Sequence, residues 1–113
     1  MEVTTERDGE TLIAKTDGRV DGTNATEFQD ALKNAINTGS DKAVILDFED
    51  LSYISSAGLR VILLTAKDMR SANVKFAVCS LSKPVHDVFT ISGFDQIIDI
   101  HETQSAARSA VRG

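Results

Sequence analysis

Residues 47–60 read Asp47-Phe48-Glu49-Asp50-Leu51-Ser52-Tyr53-Ile54-Ser55-Ser56-Ala57-Gly58-Leu59-Arg60. The stretch begins inside a nearly continuous apolar run, Ala43-Val44-Ile45-Leu46-Asp47-Phe48, of the kind that suits a central strand covered on both faces. A loop from Glu49 to Ile54 follows. A helix then starts at Ser55 or Ser56 and ends near Ser71. Two serines at a helix start, followed by the small residues Ala57 and Gly58, leave backbone N–H groups free at the positive end of the helix dipole. Such a place tolerates an anion.

Working outward, Thr11 to Thr16 reads as a strand, and a shorter strand from Glu2 to Glu6 pairs with it as a hairpin through the Asp8-Gly9 turn. Asp17-Gly18 and Asp21-Gly22 punctuate a loop. A helix begins near Thr23 or Asn24, carries the stripe Phe28, Leu32, Ala35 and Ile36, and stops at Gly39. Beyond the second helix, Lys75 to Cys79 reads as a strand. Ser82-Lys83-Pro84 opens a third helix with Val85, Val88 and Phe89 on its apolar face and Gly93 at its end. Gln96 to Ile100 is a short strand, and Glu102 to Val111 a last helix using Ala106, Ala107, Ala110 and Val111. Strands alternating with helices predict an α/β fold. Its sheet is mixed but mostly parallel, with an N-terminal hairpin and about four packed helices.

The 113 residues fit one domain, 1–113, without disulfide or metal. A formal net charge of −5 argues against a nucleic-acid partner and against docking on an anionic membrane. The first residues carry no basic or apolar stretch of a signal peptide, and no apolar run is long enough to span a membrane. The expectation is a soluble cytoplasmic protein with no membrane insertion. Cys79, the sole cysteine, lies in the apolar run Phe76-Ala77-Val78-Cys79 and reads as a buried thiol. His86 and His101 have no motif around them. Gly-x-Ser-x-Gly, a P-loop, Gly-x-Gly-x-x-Gly and zinc-type Cys/His spacing are all absent from the sequence. Asp47, Glu49 and Asp50 read as a solvated loop edge. No catalytic residue, cofactor or metal ligand is therefore expected.

The second helix adds to the reading of the serines. On a helical wheel Leu59, Ile62, Leu63, Ala66 and Met69 form the face toward the sheet, and Ala57, Val61 and Leu64 form a stripe nearly opposite. Arg60 and Lys67 lie between, on the side of Ser56. The second stripe is either a docking surface or a face covered by a neighbouring loop or helix. Ser55 is either a plain cap or part of a functional site, and Gly58 either packs or admits a partner. Arg60, four residues after Ser56, can reach a phosphate placed on it.

At these residues the chain resembles the STAS family, and specifically bacterial anti-sigma-factor antagonists. Gly18-Arg19-Val20-Asp21 is similar to that family's loop after its second strand. Val44 to Phe48 and Leu51 to Leu59 resemble its signature strand, loop and helix start. Val85-His86-Asp87-Val88-Phe89-Thr90-Ile91-Ser92-Gly93-Phe94 resembles its third helix and stop. The resemblance implies partner switching. An anti-sigma factor that is also a serine kinase binds the unphosphorylated form, phosphorylates it and lets go, and a metal-dependent serine phosphatase reverses the step. Carried to this chain, the acceptor is Ser56, with Ser55 as a rival, and the partner surface is Asp21, Ser55, Ser56, Ala57, Gly58, Arg60, Val61 and Leu64. Two departures stand out: Ser55 occupies a place where many members have aspartate, and Ala57 one where many have serine or threonine. The resemblance also admits an unphosphorylated adaptor subunit of a transport or lipid-trafficking complex.

Overall fold

The computed structural model describes residues 2–112. Along the chain run β1 (Val3–Asp8), β2 (Thr11–Thr16), β3 (Gly18–Val20), α1 (Ala25–Ala35), β4 (Ala43–Asp47), β5 (Leu51–Ile54), α2 (Ser56–Ser71), β6 (Lys75–Cys79), α3 (Lys83–Ile91), a 3-10 turn (Phe94–Gln96), β7 (Asp99–His101) and α4 (Gln104–Arg112). The main sheet has the order β1-β2-β4-β6-β7. Only β1 is antiparallel, joined to β2 by the turn at Gly9, whose φ of +62° a residue with a Cβ adopts at a cost. The pairs β2–β4, β4–β6 and β6–β7 are parallel. Every residue of β4 is buried, Asp47 at its end included, as the nearly continuous apolar run suits a strand covered on both faces.

Alternation along these strands sorts side chains onto two faces. Leu12, Ala14, Val44, Leu46 and Val78 join Phe28 and Leu32 of α1, Leu59 and Ile62 of α2, and Val85 and Phe89 of α3 in one large core. Ile13, Ile45, Ala77 and Cys79 form a second, smaller cluster with Ala107 of α4, and Val111 packs at its margin.

Four expectations change. Gly18–Val20 and Leu51–Ile54 are not loops: they pair in parallel as a second, two-stranded sheet, because Val20, Leu51 and Ile54 supply an apolar side that must be buried. The last strand is Asp99–His101, and the segment before it is wound into the 3-10 turn. Helix α2 buries Leu59, Ile62 and Met69 of the face the wheel gave, and its buried face extends further round the helix. Val61 and Thr65 are buried as well, while Leu63 is only partly so, and α1 packs against α2. Val61 thus leaves the proposed docking stripe for the core. In α4, Ala107 alone is buried, and Ala106 and Ala110 face solvent.

One buried charge ties the hairpin to α1. The Asp41 carboxylate, 2% exposed, accepts from Arg7 Nε at 3.0 Å, Arg7 Nη2 at 3.1 Å and the Asn37 N–H at 2.9 Å. Arg7 Nη2 also donates to the Ala35 carbonyl at the end of α1, at 2.9 Å. The hydrogen bond from Arg7 holds the Asp41 carboxyl below its ordinary range. A carboxyl depressed in the folded state contributes stability above its unfolded pKa of about 3.9 and loses that contribution as pH falls through the folded value. Urea midpoints should therefore drop on acidification below about pH 4, and Asp41→Asn should lower the neutral-pH midpoint and flatten that acid slope.

Gly58 is where α2 lands on the small sheet. A Cβ there would stand 2.7 Å from Ile54 Cγ1 and 2.8 Å from Val20 Cγ1, both in buried side chains. These β-branched neighbours have little rotamer freedom to retreat. Gly58→Ala should therefore destabilise the fold by about 1–3 kcal/mol, read from denaturant unfolding.

Candidate functional site

The site is assembled where the small sheet hands the chain to α2. Phe48 N–H donates to the Cys79 carbonyl at 3.0 Å and Leu51 N–H closes a turn on Phe48 O at 3.0 Å, so the chain leaves β4 and enters β5 along a fixed path. Strand β5 then runs beside β3 with Arg19 opposite Tyr53 and Val20 opposite Ile54. The ladder ends with Ser55 N–H on Val20 O at 2.9 Å. Ser55 keeps an extended backbone, φ −91° and ψ 174°, and caps α2: its Oγ accepts from Gly58 N–H at 3.4 Å, and its carbonyl from Leu59 N–H at 2.9 Å. Ser56 follows as the first helical residue and is exposed. No acidic residue lies in the first turn of α2, so the dipole there is not already neutralised.

Of the residues singled out by sequence, the structure brings Ser55, Ser56 and Ala57 to this end, with Ala57 and Ser55 half-buried. Arg60 is exposed one turn on, and Leu64 is 37% exposed another turn along the helix. Gly58 and Val61 do not share that surface. Both are buried, Gly58 because it faces Val20 and Ile54 and Val61 because it belongs to the main core. The missing side chain of Gly58 therefore serves close packing of the helix rather than the approach of a partner.

Asp21 sits at the exit of β3 and organises the turn into α1. Its Oδ1 accepts from Thr23 Oγ1 at 2.6 Å and from Thr23 N–H at 2.9 Å, and its own N–H donates to Asn24 Oδ1 at 2.9 Å. Asn24 Nδ2 in turn donates to the Arg19 carbonyl at 2.8 Å. The Thr23 bonds lead in lowering the Asp21 pKa, with help from nearby Arg19, so the group stays ionised. Of Thr23 and Asn24, the two residues expected at the start of α1, Asn24 is the N-cap residue, but its side chain is committed to this turn and makes no cap bond.

Two residues of the site escaped the sequence reading. The Arg19 guanidinium lies 4.3 Å above the centre of the Tyr53 ring, a cation–π contact, and its Nε is 4.0 Å from Asp21 Oδ2. Tyr53 is 40% exposed. The signal that finds them is the strand register Arg19↔Tyr53, which segments this short do not reveal in sequence. Arginine and tyrosine are the side chains that most often anchor protein interfaces.

A concavity of about 870 Å³ lies elsewhere, between α3 and the β7 region, and is lined by Lys83, His86, Asp87, Asp95, His101 and Glu102 among others. Among the described residues no group of His, Cys, Asp and Glu is arranged to hold a metal ion. Cys79 is buried, and burial pushes its thiol up to about 11, which makes it an inert thiol at neutral pH. No helix of the described residues is long and apolar enough to cross a membrane.

Comparison with known proteins follows the same residues. The STAS domain model matches residues 2–107. BtrV of Bordetella bronchiseptica, named as a candidate anti-sigma factor antagonist, is 38% identical over 112 residues, covering 99% of this chain and 96% of that protein. A crystal structure of a candidate anti-sigma factor antagonist from Thermotoga maritima superposes with a TM-score of 0.92 at 23% identity, covering 98% of this chain and 95% of the other. The anti-sigma factor antagonist SpoIIAA superposes at 0.82 in its unphosphorylated form, at 24% identity over 99% of this chain and 97% of that one. The Bacillus protein in its phosphorylated form gives 0.73 at 22% identity, covering 97% and 99%.

The two serines should separate in a stability measurement. Ser55→Ala removes a cap and should cost about 0.5–1 kcal/mol, at the low end because the cap bond is long, whereas Ser56→Ala at an exposed first-turn position should stay within about 0.5 kcal/mol of the parent in urea unfolding.

Proposed function

The chain belongs to the STAS domain family, and from that premise we propose that it is an anti-sigma factor antagonist switched by phosphorylation of Ser56. The observation that carries this reading is the division of labour between the two serines: Ser55 is spent on the cap and the last ladder bond, and Ser56 alone stands exposed at the helix start. The partner is an anti-sigma factor with serine kinase activity, and a metal-dependent serine phosphatase resets the switch, all within the cytoplasm. The chain itself is the substrate in this cycle and not an enzyme.

In this reading the docking surface is Asp21, Ser55, Ser56, Ala57, Arg60 and Leu64, extended by Arg19 and Tyr53. Phosphorylation adds about −1.5 to −2 charge at neutral pH. At the N-terminus of a sixteen-residue helix with no acid in its first turn, that charge meets free N–H groups and the positive end of the dipole, so the fold accepts it. The effect is on docking. The phosphate must shed water on binding and repels any acidic group on the partner, a loss of about 2–5 kcal/mol and so more than about tenfold in affinity. The serine at position 55 removes one source of repulsion, since an aspartate there would stand beside the phosphate.

Incubation with ATP and lysate of the source cell, followed by mass-spectrometric mapping, should place phosphate on Ser56 and lose it in Ser56→Ala but not in Ser55→Ala. Ser56→Glu should weaken capture of the kinase partner by more than about tenfold with an unchanged circular dichroism spectrum. Phosphate on Ser55 would move the switch by one residue. An unmodified protein in a lysate with demonstrated serine kinase activity would favour an adaptor role without a phosphate cycle.

A further inference from the structure

The two faces of the main sheet are held shut by different means. Three helices cover one face through large side chains that include Phe28, Leu32, Ile62 and Phe89. The other face, Ile13, Ile45, Ala77 and Cys79, is covered by α4, which buries Ala107 fully and packs the partly buried Val111 at the margin. An alanine methyl removes little apolar area from water, so the hydrophobic hold is weak.

The remaining hold is a polar relay running outward along α4. Gln104 Nε2 donates to Oδ2 of buried Asp47 at 2.6 Å. Arg108 Nε and Nη2 donate to Gln104 Oε1 at 3.0 and 2.7 Å, and Arg108 Nη1 donates to Asp8 Oδ2 at 2.9 Å. Arg108 Nη2 also reaches Glu6 Oε1 at 3.3 Å, and Arg112 Nη2 donates to Asp8 Oδ2 at 2.7 Å. The outer half of the relay thus rests on ion pairs to β1, an edge strand open to solvent. The Arg112 pair is exposed and the Arg108 side chain is 29% exposed, and ion pairs open to water in this way are weak and screened by salt. The inner end shares its carboxylate with the chain leading to β5, because Asp47 Oδ1 accepts from Glu49 N–H at 3.0 Å.

We propose that α4 is a salt-sensitive latch that undocks as a unit while the rest of the domain stays folded, uncovering Ile13, Ile45, Ala77 and Cys79. The large core on the opposite face does not involve α4, so its packing survives the opening. Local openings of weakly packed elements occur well below the free energy of global unfolding. Undocking also returns the Cys79 thiol toward its ordinary, more reactive range by undoing the burial that raises it.

Cys79 is the sole cysteine and is fully buried against α4's side of the sheet, so its modification by a thiol reagent reads the opening. The control is Val78→Cys in a Cys79→Ala background, whose thiol faces the other core. Cys79 should label at least about tenfold faster than the thiol at 78. Its rate should rise as ionic strength goes from about 0.1 M to about 1 M, where the screening length falls from about 10 Å to about 3 Å. Arg108→Gln with Arg112→Gln should speed Cys79 labelling at low salt and remove most of the salt dependence. Amide hydrogen exchange on the unaltered protein repeats the test without the control variant: α4 amides should exchange faster with salt while β4 amides hold. Equal labelling at both positions, a salt-independent Cys79 rate, or α4 and β4 amides exchanging together would overturn the latch.

Discussion

The contact on which the rest of this molecule's candidate site depends is the approach of α2 to the small sheet at Gly58. A side chain at that position would sit within 3 Å of both Val20 and Ile54. Those two residues are register partners in β3 and β5, and Val20 also accepts the Ser55 N–H. The close approach therefore fixes three things at once: the pairing of two very short strands, the direction in which α2 leaves them, and the outward presentation of Ser56. Two strands of three and four residues would not hold together alone; the helix and the core beneath them supply the missing stabilisation.

The polar interactions follow a consistent division. Where a charge is buried it is fully partnered, as Asp41 is by Arg7 and the Asn37 N–H, and as Asp47 is by Gln104 and the Glu49 N–H. Where charges lie at the surface they are adjustable: the Arg19–Asp21 approach of 4.0 Å and the Arg112–Asp8 pair cost little to rearrange. The buried set positions elements, and the surface set lies where the proposed docking and latch events would occur.

The start of α2 illustrates why a helix N-terminus makes a good place for a reversible charge. Its N–H groups and dipole accept an anion without unfolding the helix, so a modification there alters the surface and leaves the core alone. Ser55 satisfies the cap through its own side chain, which leaves the neighbouring hydroxyl uncommitted to holding the helix. Arg19 over Tyr53 extends the same end of the domain with a cation and an aromatic face, two chemistries suited to a protein partner.

Much of this was legible in the sequence because it rests on local patterns. The nearly continuous run Ala43 to Phe48 suited a doubly covered strand, Asp8-Gly9 between two strand patterns suited a hairpin turn, and Ser55-Ser56 before Ala57-Gly58 marked a helix start. The stripe Phe28 and Leu32 found the core face of α1 because a helix repeats its burial every turn. What tertiary structure alone decided concerns partners distant in sequence. Gly18–Val20 and Leu51–Ile54 are too short to show a period, and become strands only when each meets the other. Val61 is buried in the core that α1, α2, α3 and the sheet build together, a fact no wheel drawn on α2 can contain. The Arg19–Tyr53 contact exists only through the register of those two strands, and α4's hold on β1 only through residues about a hundred positions apart. Sequence determined which segments needed cover and where the chain turned; packing determined which surface was left over to act.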